Sequence, residues 1–355
     1  MSKFLNENLK GLEAYTPGEQ PRDKKYIKLN TNESPYPPSP EVIGAVNSSE
    51  VSDLRLYSDP LCKTLKEKLA DRYGVNYENV FVSNGSDESL NFAFMAFCSR
   101  ENPVVFPEIS YGFYKVFAEL YDIPYTQIPL MDDFSINVDD YIGINKNIVI
   151  ANPNAPTGLA LSLSDIEKIV KGNPDNIVLI DEAYVDFGGE SAVALTKKYD
   201  NLLVVQTFSK SRSLAGARLG YAIGNAEVIA DLEKIKYSTN PYNINRLTLV
   251  AGAAAIDSDD YFMENCKRIM KTRAYTIDEL EKLGFTCIPS CTNFIFAKSD
   301  EISGNDLYLK LKEKGVLVRH FSTPSICEYN RITIGTDEEM KTFIEKVKEC
   351  LYEMR

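Results

Sequence analysis

The chain has 355 residues, more than one compact core usually serves, so two domains are expected. Hydrophobic residues make up 44% and charged residues 25%, the ordinary balance of a soluble globular protein. A formal net charge of −12 argues against a nucleic-acid partner, and an anionic substrate has to be held by locally placed arginines. No apolar run approaches the roughly 20 residues of a membrane span. The N-terminal MSKFLNENLKGLEAY carries no signal-peptide core, so a cytoplasmic location is expected. The 7 cysteines form no CxxC pair and read as reduced, mostly buried thiols. With His320 the only histidine, neither a zinc site nor a Ser-His or Cys-His hydrolase is expected.

In chain order, the first forty residues are irregular, with Pro35, Pro37, Pro38 and Pro40 opposing both helix and central strand. Helical periodicity fits 61–73. NVFVSNG (79–85) reads as a strand running into a turn, and DESLNFAFMAFC (87–98) as a helix capped by Ser86 or Asp87. PVVFP (103–107), a helix near 111–121 and NIVIANP (147–153) follow, then a helix ending near Lys171 with Ser164 and Glu167 as its capping box. NIVLIDEAY (176–184), LLVVQTFS (202–209) and LGYAIG (219–224) are further strands. Short apolar strands separated by helices predict an α/β fold with a mostly parallel, helix-covered sheet. Polar clusters sit at the strand ends, where ligands collect in such folds: 83–87, 152–158, 181–184 and Ser209-Lys210.

Beyond Pro241 the texture changes to helices over 244–256 and 259–283, strands at 292–299, 316–321 and 330–335, and helices near 303–314 and 337–353. This is a smaller α+β unit. The expected partition is a large domain, 45–245, and a small one built from 246–355 with the N-terminal arm, 1–44.

Lys210 follows a strand among Thr207, Ser209 and Ser211. A lysine there is either partly desolvated and nucleophilic, or a surface lysine whose head reaches water. Asp181 ends the apolar VLI run, as a partnered carboxylate, a helix cap or a salt bridge. Together they suggest pyridoxal phosphate, bound through the amine with the carboxylate at its pyridine nitrogen. Gly85, Ser86 and Asp87 between strand and helix offer backbone N–H groups to the phosphate, which Ser209 and Arg218 complete.

The segments LNTNESPYPPSP (29–40), SNGSDESL (83–90), NPNAPTG (152–158), VLIDEAYVDF (178–187), TFSKSRSLAGARLGYAIG (207–224) and RITIGT (331–336) resemble a fold-type I aminotransferase, and within it the histidinol-phosphate aminotransferases. The resemblance runs through nearly the whole chain. It implies Lys210 as the Schiff-base lysine, Asp181 as the pyridinium partner, Tyr184 at the cofactor's ring oxygen and Tyr111 stacked on the ring. The phosphate is expected against Ser86, Asp87, Ser209 and Arg218, with Tyr57 reaching the neighbouring subunit's site in a homodimer. Arg331 matches the family's carboxylate-binding arginine, Arg319 the one for the substrate phosphate, and Tyr15 and Asn32 further substrate contacts. The implied reaction is transamination between histidinol phosphate and 2-oxoglutarate, giving imidazole-acetol phosphate and glutamate.

The chain departs from the family pattern in two places. Ala155 stands where an asparagine usually touches the ring oxygen, which leaves Asn154 or Tyr184 to supply that contact. Ser211-Arg212-Ser213 replaces the usual apolar triplet. An aromatic or broad-specificity aminotransferase, or a threonine-phosphate decarboxylase, would share every cofactor residue. A non-catalytic, ligand-sensing regulator would want a basic DNA-binding segment in addition.

Overall fold

The computed structural model describes residues 5, 6, 9–46 and 49–353. The N-terminal arm supplies a short strand, β1 (Ile27–Lys28). Then β2 (Val80–Ser83), β3 (Val104–Pro107), β4 (Tyr125–Ile128), β5 (Asn147–Ala151), β6 (Val178–Asp181), β7 (Leu202–Thr207) and β8 (Gly220–Gly224) form a 7-stranded sheet ordered β2-β8-β7-β6-β5-β3-β4. β8 runs antiparallel to both neighbours, and the other pairings are parallel. β5, β6 and β7 are buried along their whole lengths because helices cover both faces. Alternate residues serve opposite sides: Val178 and Ile180 pack with Leu65 and Ile166, while Leu179 packs with Phe94 and Tyr114.

The second sheet follows from β9 (Phe285–Ile288), β10 (Phe294–Ser299), β11 (Val316–Leu317), β12 (Arg319–His320) and β13 (Asn330–Thr333). Four of these pair antiparallel in the order β12-β13-β10-β9, and β11 instead pairs parallel with β1 of the arm. The arm is thereby stitched to this unit, with Thr333 N–H donating to Leu29 O at 2.9 Å. Met340, Phe343, Ile344 and Val347, on one face of the helix Asp337–Tyr352, close its core. The helix Asp259–Lys282 joins the units, with Phe262 in the first core and Cys266, Ile269 and Leu280 in the second.

Several local expectations are corrected. Pro40 opens the helix Pro40–Ala45, where its missing N–H costs nothing, and Ser39 caps that helix. The helix Ser86–Phe97 is capped by Gly85, not by Ser86 or Asp87. Gly85 has φ 78°, and the chain is crowded here: a Cβ on Gly220 of β8 would lie 2.4 Å from Ser86 N. The helix Leu163–Gly172 is capped by Ser162, so Ser164 and Glu167 form no capping box. VLVRHF divides at Val318, because β11 and β12 pair with different strands. The cysteines are unpaired, but only Cys62, Cys266 and Cys350 are fully buried.

Candidate active site

The carboxyl ends of β6 and β7, the arm and the second sheet enclose a cavity of about 640 Å³. Tyr15, Asn32, Ser86, Asp87, Tyr111, Asp181, Tyr184, Ser209, Lys210, Arg218, Arg319 and Arg331 all line it. Residues from four stretches of chain that are distant in sequence therefore meet in one space.

Lys210 lies in the turn after β7. Its Nζ donates to Thr31 O at 3.3 Å and lies 5.9 Å from the centroid of the Tyr184 ring. Burial, and after it the charge of Arg331, pushes the amine down to about 8. Asp181 ends β6 with 4% exposure. Its Oδ2 accepts from the Tyr114 hydroxyl at 2.8 Å and its Oδ1 from Ala183 N–H at 3.2 Å. Burial raises the carboxyl to about 6 in spite of the Tyr114 hydrogen bond. The carboxylate is thus placed where a cationic partner would favour its charged form.

The N-terminus of the helix Ser86–Phe97 faces Arg218. Arg218 adopts φ 54°, in the left-handed region, and its guanidinium donates to Asp87 Oδ2 at 3.1 Å and Ser209 Oγ at 3.4 Å. A Cβ on Gly85 would come within 2.6 Å of the Arg218 Nη2, so glycine lets the guanidinium approach the helix end. Tyr111 donates to Asp87 Oδ1 at 2.8 Å, which fixes its ring against the cavity. Helix N–H groups, a hydroxyl and a guanidinium together form an anion cradle.

Arg319 and Arg331 come from adjacent strands of the second sheet. Arg331 donates to Asn30 O at 3.1 Å, and its buried Nε has no hydrogen-bond partner among the described residues. Asn32 donates to the Tyr184 hydroxyl at 2.9 Å, and Thr333 Oγ1 donates to Asn32 Oδ1 at 3.0 Å. Tyr15 of the arm stacks on Phe113 at 4.4 Å, near the edge of Tyr111.

The sequence matches the family Aminotransferase class I and II over residues 24–347. It is 55% identical to the histidinol-phosphate aminotransferase of Brachyspira hyodysenteriae, over 98% of this chain and 99% of that protein. The chain belongs to the histidinol-phosphate aminotransferase family. The family member from a Marinomonas species is 54% identical over 98% of this chain and 99% of its own. The crystal structure of the family's Sinorhizobium meliloti member, in complex with pyridoxal-5'-phosphate, has the same fold, with a TM-score of 0.86 and 23% identity, covering 94% of this chain and 92% of that one.

Against the family pattern, the geometry departs from expectation at Asn154. Its amide donates to Ile109 O at 2.9 Å and Thr157 Oγ1 at 3.0 Å, and its Oδ1 accepts from Ser110 Oγ at 2.8 Å. Every polar atom of that side chain is engaged in holding the loop, and Ala155 is the residue that lines the cavity. Tyr57 lies outside this chain's cavity, 79% exposed and stacked on Tyr242 at 4.5 Å. Gly85 contributes as the helix cap, not as a lining residue. Sequence reasoning missed Tyr114, which holds Asp181, and Phe321, which packs beside both arginines. The YGFY spacing puts Tyr111 and Tyr114 about one helical turn apart, which is the signal that could have found the first.

Proposed function

We propose that this enzyme transfers the amino group of L-histidinol phosphate to 2-oxoglutarate, giving imidazole-acetol phosphate and glutamate. The observation that carries the reading is the pair Arg319 and Arg331 lining the same cavity as Lys210. One substrate brings a phosphate without an α-carboxylate and the other brings two carboxylates, and a guanidinium fork suits both anions. The near full-length identity to histidinol-phosphate aminotransferases supports the same donor.

The residues present fit pyridoxal phosphate. The cradle of Ser86, Asp87, Ser209 and Arg218 suits its phosphate, with Gly85 keeping the helix end open to the guanidinium. Across the cavity the buried Asp181 would pair with a protonated pyridine nitrogen, held in orientation by Tyr114. Tyr111 would lie on the ring and Tyr184 at its oxygen, a contact to which Asn154 does not contribute. When bound, pyridoxal phosphate supplies the electron sink for substrate Cα–H cleavage and carries the amino group between the two half-reactions. Lys210, with its amine lowered to about 8, is unprotonated in roughly a tenth of molecules at pH 7, far more than an ordinary lysine, and that form takes the proton from the substrate Cα as general base. Arg331 and Arg319 would hold the anionic end so that this proton faces Nζ, and Tyr15 lines the same cavity.

A homodimer completes the site in this reading. Val51, Leu54, Leu56, Tyr57 and Leu61 expose apolar surface along one segment, which a second copy would cover. Tyr57 would then reach the phosphate in the partner's cavity. We take the working units as 45–245 and 1–44 with 246–355, in a cytoplasmic enzyme; no described helix is long and apolar enough to cross a membrane. The test is kcat/KM for histidinol phosphate against phenylalanine and phosphothreonine with 2-oxoglutarate as acceptor. Histidinol phosphate should lead by at least about a hundredfold. Preference for phenylalanine, or decarboxylation of phosphothreonine, would replace the reading with one of its neighbours.

A further inference from the structure

The triplet Ser211-Arg212-Ser213 after Lys210 takes no part in the chemistry described so far. Yet Arg212 is only 4% exposed, which is costly for a cation without partners. Its Nη2 pairs with Asp259 Oδ1 at 2.6 Å, and its Nη1 lies 3.7 Å from Asp186 Oδ2. That same Asp186 oxygen accepts the Ser211 hydroxyl at 2.5 Å. Asp259 also pairs with Arg72, so two arginines and two aspartates alternate in a row of four, Arg72–Asp259–Arg212–Asp186. On the other side, Ser213 donates to Ser34 Oγ in the arm at 2.9 Å.

The partners come from separate pieces of the fold. Arg72 lies on the helix Lys63–Tyr73, Asp186 in the turn after β6, and Asp259 at the start of the helix Asp259–Lys282. That last helix runs from the large core into the core of the arginine-bearing sheet. Lys210 and the two substrate arginines therefore stand on different units, and their separation is set where those units join. A misplacement of about 1 Å between a reacting base and its substrate can cost on the order of a hundredfold in rate.

We infer that Arg212 is a positioning residue for Lys210. By holding Asp186, which takes the Ser211 hydroxyl, and Asp259, which heads the connecting helix, it fixes the lysine's backbone relative to Arg319 and Arg331. The inference rests on the reading of Lys210 given above. Removing a buried partner from such a quartet leaves uncompensated charge, so Arg212→Met perturbs both aspartates, while Ser211→Ala cuts only the link to Lys210's neighbour.

The experiment compares full-length wild type, Arg212→Met, Arg212→Lys and Ser211→Ala. Two quantities are read: the rate at which cofactor-stripped protein develops visible absorbance on adding pyridoxal phosphate, and kcat and KM for both substrates. Arg212→Met should slow uptake and lower kcat about tenfold, with each KM changed by less than about twofold; Arg212→Lys should recover part of both. Ser211→Ala should lower both by about threefold. Should Arg212→Met fail to fold, Ser211→Ala carries the test alone. Wild-type uptake and kcat in Ser211→Ala, or losses confined to KM, would overturn the inference. A wild type that captures no cofactor would overturn the reading of Lys210 and this inference with it.

Discussion

Arg319 and Arg331 are direct partners across the β12–β13 ladder, so two guanidinium groups share one face of the sheet. Like charges so placed repel. Phe321 relieves part of this, with its centroid 5.8 Å from Arg319 and 5.9 Å from Arg331. An anion held between them would relieve the rest.

Arg319→Ala should raise KM for histidinol phosphate by roughly tenfold to a hundredfold, the worth of a charge-assisted hydrogen bond or two, and that for glutamate by less. Arg331→Ala should weaken both substrates. Steady-state kinetics with each substrate varied in turn checks this; equal losses from Arg319→Ala would remove its selective role.

The depressed Lys210 amine gives a pH prediction. The nucleophile is the unprotonated form, and its fraction rises with pH through the folded value of about 8, well below the ordinary lysine range. The initial rate of cofactor capture by stripped protein should therefore rise from pH 6, reach half its maximum near pH 8 and level above about pH 9. A rate still climbing steeply near pH 10 would mean an unshifted lysine.

Tyr114→Phe removes the hydroxyl donor from Asp181. Because the Asp181 pKa is raised to about 6, its carboxylate is charged above that pH, and there the lost bond costs most, about 1.5–3 kcal/mol. Below the unfolded value near 4 the carboxyl is neutral in both states and the cost shrinks. Denaturant melts of stripped protein at pH 8 and pH 4 measure the difference. An equal loss at both would show that Tyr114 acts only by packing.

How far the site was legible in the sequence depended on the kind of signal. Lys210, Asp181 and Arg218 stand at strand ends beside small or apolar residues, so their polarity is conspicuous, and all three line the cavity. Tyr114 is hidden among the chain's 21 tyrosines, and only its hydrogen bond distinguishes it. Asn154 failed for the opposite reason: adjacency to Ala155 says nothing of direction, and its amide turns into the loop. The inner strands were plain because both faces are buried. The edge strands β4 and β9 escaped notice because YTQI and FTCI carry partly exposed, polar positions. The helix Ala226–Thr239 is not among the predicted elements, although Asn225 caps it and Ile229 and Leu232 share its buried face.

The proposed dimer makes a complementation prediction. Lys210→Ala and Tyr57→Ala should each be impaired alone. Unfolded and refolded together, they form mixed dimers in which one site has Lys210 from one chain and Tyr57 from the other, and activity should exceed the sum of the separate variants. No gain, with mixed dimers present by mass, would place Tyr57 outside the site.

The central claim is that Lys210, Asp181 and the two arginines form one transamination site for a phosphorylated amine. Its most direct test is the visible spectrum of the cofactor-loaded enzyme mixed with histidinol phosphate alone. The account predicts conversion to the aminated-cofactor spectrum within one turnover, reversal on adding 2-oxoglutarate, and no such change in Lys210→Ala. An unaltered spectrum with histidinol phosphate, or the same conversion in Lys210→Ala, would contradict it.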